Sequence, residues 1–111
     1  MTGISTHVLD TSIGRPAEGV PVELALNTEG GWTVLGTSAT DSDGRAKDLP
    51  AVEAGSVVRL RFDTAAYYAP KSDETPFFPE VSIVFTVAPA QRHYHVPLLL
   101  NPFGYSVYRG S

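Results

Sequence analysis

Three histidines, His7, His93 and His95, are the groups in this chain best suited to exchange protons near neutral pH. Two of them form His93-Tyr94-His95. In a strand, residues two apart face the same way, so both imidazoles stand on one side, about 6–7 Å apart at the backbone. Such a pair is either an exposed strand feature or half of a zinc site. The metal reading needs a third ligand, and the remaining histidine is His7. The chain has no cysteine, which excludes disulfides, thiolate nucleophiles and cysteine-based zinc sites. Asp41-Ser42-Asp43-Gly44 glances at a calcium loop. In the EF-hand register, however, the first ligand position falls on Ala39 and the twelfth on Pro50, so the stretch reads as a turn. No Gly-x-Ser-x-Gly elbow or phosphate loop is present. Taken alone, His7 reads as a structural histidine and Arg45 as a surface arginine.

The elements that must position these groups are strands. Val20, Val22, Leu24 and Leu26 alternate with other residues, the period-two mark of a half-buried strand. Gly30-Gly31 then reads as a turn, and a second strand runs from Trp32 to Thr40. Asp43-Gly44 is a hairpin-turn signal. Val58, Leu60 and Phe62 point inward with Arg59 and Arg61 outward; Val81, Ile83, Phe85 and Val87 mark another strand. His7 lies in an N-terminal strand, Ser5 to Asp10. His93–Leu100 and Gly104–Tyr108 complete the set. One stretch invites a helix, Asp63 to Ala69, which opens on capping residues and stops at Pro70. Seven or eight short strands with regular turn signals mean an all-β sandwich or barrel.

The 111 residues give room for one domain, 1–111. A hydrophobic content of 42% suffices for a packed core. The net charge of −4, with eight scattered Lys and Arg, argues against nucleic acid. No apolar run is long enough to cross a bilayer, so no membrane partner is expected. Met1 to Thr6 show neither a basic n-region nor an apolar h-region, and the expectation is a cytoplasmic protein without a leader.

Three segments carry a more specific signal. The first is Ser5-Thr6-His7-Val8-Leu9-Asp10, followed by Gly14-Arg15-Pro16-Ala17. The second is Asp43-Gly44-Arg45. The third runs from Arg92-His93-Tyr94-His95-Val96-Pro97 through Asn101-Pro102-Phe103-Gly104 to Tyr108-Arg109-Gly110-Ser111. In these segments together the chain resembles the 5-hydroxyisourate hydrolases, the transthyretin-related enzymes of uric acid degradation. The resemblance spans essentially the whole chain and shows no departure at a motif position. Asn27–Thr40 and Pro50–Gly55 are its least distinctive parts.

The resemblance implies a transthyretin-like (prealbumin-like) β-sandwich of two four-stranded sheets with one short helix. It implies a homotetramer with active sites in a channel between subunits. The substrate would be 5-hydroxyisourate, whose ring amide is hydrolysed to 2-oxo-4-hydroxy-4-carboxy-5-ureidoimidazoline, with no metal or organic cofactor. The family's catalytic residues fall on His7, Arg45, His95 and Ser111, and Tyr108 would lie near the substrate with His7 and Arg45. Neutral imidazole suits the removal of a proton from water. Arg45 offers planar donors for ring oxygens and for the charge that grows as water adds. Ser111, with its terminal carboxylate, is expected to orient a histidine or water, so a C-terminal extension is expected to impair the site. Which histidine is the primary base stays open. His93 is either a participant or a channel-wall residue. The alternative function is a transthyretin-like small-ligand carrier without catalysis, and a structural interaction domain is the second rival, since fold alone does not set function.

Overall fold

The computed structural model describes residues 1–73 and 75–110. Two sheets face each other across one hydrophobic core. The first contains β3 (Pro21–Thr28), β4 (Gly31–Ala39), β6 (Val57–Phe62) and β7 (Val81–Thr86), in the order β4-β3-β6-β7. The second contains β1 (Gly3–Asp10), β2 (Arg15–Pro16), β8 (His93–Asn101) and β9 (Gly104–Val107), in the order β2-β1-β8-β9. A further strand, β5 (Arg45–Ala46), pairs antiparallel with β1 beside β2. The transthyretin-like sandwich expected from the sequence is present, but the second sheet has five strands rather than four, because the two-residue β2 and β5 share the outer edge of β1.

Alternation decides which side chains meet in the middle. Ile4 and Val8 from β1, Val22 and Leu24 from β3, Val58, Leu60 and Phe62 from β6, and Leu98 and Leu100 from β8 are buried. Each such side chain contributes about 1.5–3 kcal/mol relative to exposure. The strict alternation read for β3 breaks at one point. Its register with β4 shifts between Leu24 and Ala25, and both of these residues are buried. Ala25 sits opposite Arg59, whose guanidinium lies 4.9 Å from the centroid of the Trp32 ring.

The expected helix is shorter than Asp63–Ala69: α1 spans Thr64–Tyr68, with Asp63 outside it as the cap. The Asp63 carboxylate accepts the Ala66 N–H at 3.0 Å, satisfying one of the free donors at a helix start. The helix is held to the end of β1 through Asp10, which is 2% exposed. The Tyr67 hydroxyl donates to Asp10 Oδ2 at 2.7 Å, and the other carboxylate oxygen accepts the Ser12 N–H at 3.0 Å. Burial, then the Asp10 carboxylate, push the Tyr67 phenol well above its ordinary value of 10, so it stays a donor. Replacing Tyr67 by phenylalanine removes a donor from a buried carboxylate and is expected to cost about 1–3 kcal/mol. Denaturant unfolding checks this, and an unchanged midpoint would show that the contact does not hold the helix. No described helix is long and apolar enough to cross a membrane.

Candidate active site

The outward face of the second sheet collects the chemistry. Along β1, Ile4, Thr6 and Val8 are buried, while Ser5 and His7 turn outward and are half-buried. β8 runs parallel to β1 in a register that places His93 opposite Gly3, His95 opposite Ser5, and Pro97 opposite His7. On the other side of β1, antiparallel β5 places Arg45 opposite His7. Residues far apart in sequence thus converge on one patch.

The turn before β5 is built to deliver Arg45. The Asp41 carboxylate accepts the backbone N–H groups of Asp43 at 2.9 Å and Arg45 at 3.0 Å. The Asp41 N–H in turn reaches the Arg45 carbonyl at 2.9 Å. The bond from the Arg45 N–H, foremost among several causes, holds the Asp41 carboxyl below its ordinary value. Gly44 has φ +78°, and a Cβ there would strike the carbonyl oxygen of Val8. That close approach allows the Val8 N–H to bond the Gly44 carbonyl at 2.7 Å, which ties the turn to β1.

The rings of His7 and His95 stand 6.5 Å apart between centroids, tilted by 35°. The two imidazoles are thus neighbours on one face without being stacked. Ser5 Oγ lies 2.8 Å from His93 Nε2 and 2.9 Å from His95 Nδ1. Burial first, then the charges of Arg45, His7 and His93, hold the His95 imidazole below its ordinary value of 6.5. Both effects favour its neutral form, which keeps a free lone pair.

The C-terminal tail closes over the same strand. Beyond β9, the Tyr108 N–H reaches the Pro97 carbonyl at 3.4 Å and the Gly110 N–H reaches the His95 carbonyl at 2.8 Å. A Cβ on Gly110 would stand 3.0 Å from His95 Cδ2, so the tail lies flat against the imidazole. Tyr108 runs beside Pro97, across β8 from His7, and is 57% exposed. It also lines a concavity of about 260 Å³ at the open edge of the sandwich, with Ile83, Phe85, Tyr94, Val96 and Val107. That concavity contains neither the histidines nor Arg45.

Of the site residues expected from sequence, the fold brings His7, His95 and Arg45 together, while the Tyr108 side chain lines the separate concavity with Tyr94 and Val96. Ser111 lies outside the described residues. Among the described residues, no three His, Cys, Asp or Glu side chains are grouped to hold a metal ion. Ser5 was not singled out by the sequence, although its spacing of two from His7 places it on the same strand face. Its partner histidines become visible only when the parallel register is known.

A family model described as the HIUase/Transthyretin family matches residues 4–110. The chain is 46% identical over 110 residues to the 5-hydroxyisourate hydrolase of Salmonella typhimurium, covering 97% of this chain and 80% of the relative. Its backbone is similar to that of the 5-hydroxyisourate hydrolase of Klebsiella pneumoniae, with a TM-score of 0.86 and 36% identity over 100% of both chains. It is similar as well to sea bream transthyretin in complex with thyroxine, with a TM-score of 0.89 and 32% identity over 97% of this chain and 94% of the other. The backbone therefore fits both neighbours, and the distinction between them rests on side chains.

Proposed function

The chain belongs to the HIUase/Transthyretin family, and we propose that it is a 5-hydroxyisourate hydrolase acting in urate degradation through the face that carries His7, His95 and Arg45. The observation that carries this reading is the convergence of two imidazoles and a guanidinium on one patch, with the neutral form of His95 favoured. An apolar ligand gains little from such a surface. A cyclic amide that must be attacked by water gains a base, an acid and a cation.

The step assigns a role to each group. His95 takes a proton from water while the hydroxide adds to the ring carbonyl carbon. Arg45 meets the oxygen on which negative charge develops, and its planar donors fit that oxygen and its neighbours. The carbon–nitrogen bond then breaks as the leaving ring nitrogen takes the proton that His95 gained, with His7 sharing in the transfer, and the new carboxylic acid gives its proton to solvent. Tyr108 borders the substrate. Ser111 orients a histidine or water in this reading. The products of the step are a carboxylate and an opened ureido arm, 2-oxo-4-hydroxy-4-carboxy-5-ureidoimidazoline. No cofactor is assigned a part.

We further propose that the working form is a cytoplasmic homotetramer with its sites between subunits. The exposed edges support this assembly. β7 and β9 each end a sheet, and Val84, Tyr105 and Tyr108 are 56%, 41% and 57% exposed. Such edges call for a covering partner. The open histidine face would gain a second wall from a neighbouring copy. Sedimentation of the purified protein tests the tetramer, and a monomer with full activity would end this part of the proposal.

The reaction is tested by its product. Carbon-13-labelled urate, oxidised in situ by urate oxidase, is followed by NMR with and without the protein. The ring-opened ureidoimidazoline is expected to accumulate early with the protein. Identical time courses would turn attention to the carrier reading. The acid side of the pH profile supplies a second check. A base whose pKa is lowered stays unprotonated to lower pH, so kcat/KM is expected to fall only below the ordinary imidazole value of 6.5. A fall centred above 6.5 would exclude neutral His95 as the limiting group.

A further inference from the structure

The mechanism above uses one nitrogen of His95 and leaves the other unexplained. That other nitrogen, Nδ1, lies 2.9 Å from Ser5 Oγ, and the same oxygen lies 2.8 Å from His93 Nε2. A serine hydroxyl has one proton to donate and lone pairs to accept with. It therefore cannot donate to both rings. If it donates to His93 Nε2, it must accept from His95 Nδ1–H, and His95 Nε2 carries the lone pair. If it donates to His95 Nδ1, then His95 Nε2 holds the proton and cannot act as a base. When the Ser5 proton is directed to one of these rings, the tautomers of the two histidines are coupled through one oxygen.

We propose that Ser5 is a positioning residue, whose hydroxyl accepts the Nδ1 proton of His95 and donates to Nε2 of His93, so that His95 presents an unprotonated Nε2 to water. The proposal rests on the reading of His95 as the base. Ser5 does for this imidazole what a carboxylate does in a serine-protease triad, holding ring orientation and tautomer, but without a charge. No proton has to cross Ser5. The proton stays on Nδ1, hydrogen-bonded to Ser5 Oγ, both before and after Nε2 takes a proton from water.

The surrounding structure is built around this bridge. The parallel register puts Ser5 opposite His95, with Gly3 opposite His93 one step along. A Cβ on Gly3 would lie 2.8 Å from His93 Nδ1, so the bare glycine is what lets the His93 ring lie against β1 and reach Ser5. The tail seals the other side through the Gly110 bond to the His95 carbonyl. The titratable and charged groups around His95 are His7 on β1, Arg45 on β5 and His93 on β8, with Tyr108 and Arg109 in the adjoining tail.

The test uses the full-length protein and the variants Ser5→Ala, Ser5→Thr and His93→Phe. Nitrogen-15 NMR of the imidazoles, without substrate, reads the His95 tautomer directly. The wild type is expected to show His95 protonated at Nδ1, and Ser5→Thr to keep that state because it keeps the hydroxyl. Ser5→Ala and His93→Phe are each expected to lose it, the first for want of the acceptor and the second because the hydroxyl is released to donate to His95. In steady-state assays, Ser5→Ala is expected to lower kcat by about tenfold to a hundredfold with little change in KM, and Ser5→Thr to restore most of the loss. A wild type protonated at Nε2, or a Ser5→Ala variant with unchanged tautomer and kcat, would overturn the proposal. The NMR arm needs no turnover. A protein with the expected tautomer but no hydrolysis would therefore sink the assignment of the base while the Ser5 link stood.

Discussion

His95→Asn is expected to lower kcat/KM for 5-hydroxyisourate by about two to four orders of magnitude, the usual range for losing a positioned general base, while the protein stays folded. The choice of asparagine matters. Its amide nitrogen stands where Nδ1 stood and can still donate to Ser5 Oγ, which is 2.9 Å from Nδ1 in the native site. The shorter side chain has nothing at the position of Nε2. The substitution thus removes the lone pair while sparing the neighbouring bond. His95 is half-buried on the outward face of β8, while Tyr94 and Val96 on either side hold the core, so stability should change little. Coupled-assay kinetics alongside thermal unfolding separate the two effects. A well-folded His95→Asn protein with most of the native rate would remove His95 from the chemistry and leave His7 as the candidate base.

Arg45→Gln is the second large effect. Losing the donors that meet the developing oxyanion is expected to cost about 10²–10³ in kcat. Arg45→Lys should recover little of it, because an ammonium is a point charge and lacks the planar fork. The variant also carries a signature that simple damage would not produce. Arg45 is the first charge, after burial, among the causes that hold His95 below 6.5. Removing it is expected to raise the His95 pKa, so the acid limb of the residual activity should move upward. Measured pH profiles of native protein and Arg45→Gln decide this. A large rate loss with an unmoved limb would mean that Arg45 serves substrate binding at a distance from His95.

The fold was legible in the sequence to the extent that its strands are long enough to show a period. Val58, Leu60 and Phe62 alternate with outward arginines, and β6 follows that pattern. β2 and β5 were not legible, because two residues carry no periodicity. They form because the edge of β1 offers unpaired backbone groups that the turns at Gly14 and Gly44 bring within reach. The helix is shorter than the stretch Asp63–Ala69 because both end residues are caps: Asp63 at the start, in keeping with the capping signal, and Ala69 at the end.

The site divides along the same line. His93 and His95 were placed on one strand face by spacing alone, and the structure keeps both bonded to one oxygen on that face. The meeting of His7 with Arg45 and His95 was supplied by resemblance, since no local pattern relates residues from three separate strands. Ser5 escaped because a lone serine in a strand carries no signal until the parallel pairing of β1 with β8 is known. Backbone similarity could not choose between hydrolase and carrier either, with TM-scores of 0.86 and 0.89 to one of each.

The most direct measurement is the ultraviolet decay of 5-hydroxyisourate, generated by urate oxidase in the cuvette, with the untagged protein added at catalytic concentration. The account predicts decay far faster than the spontaneous rate, proportional to protein, and lost in both His7→Ala and Arg45→Ala. Decay at the spontaneous rate in the presence of folded, assembled protein would contradict it.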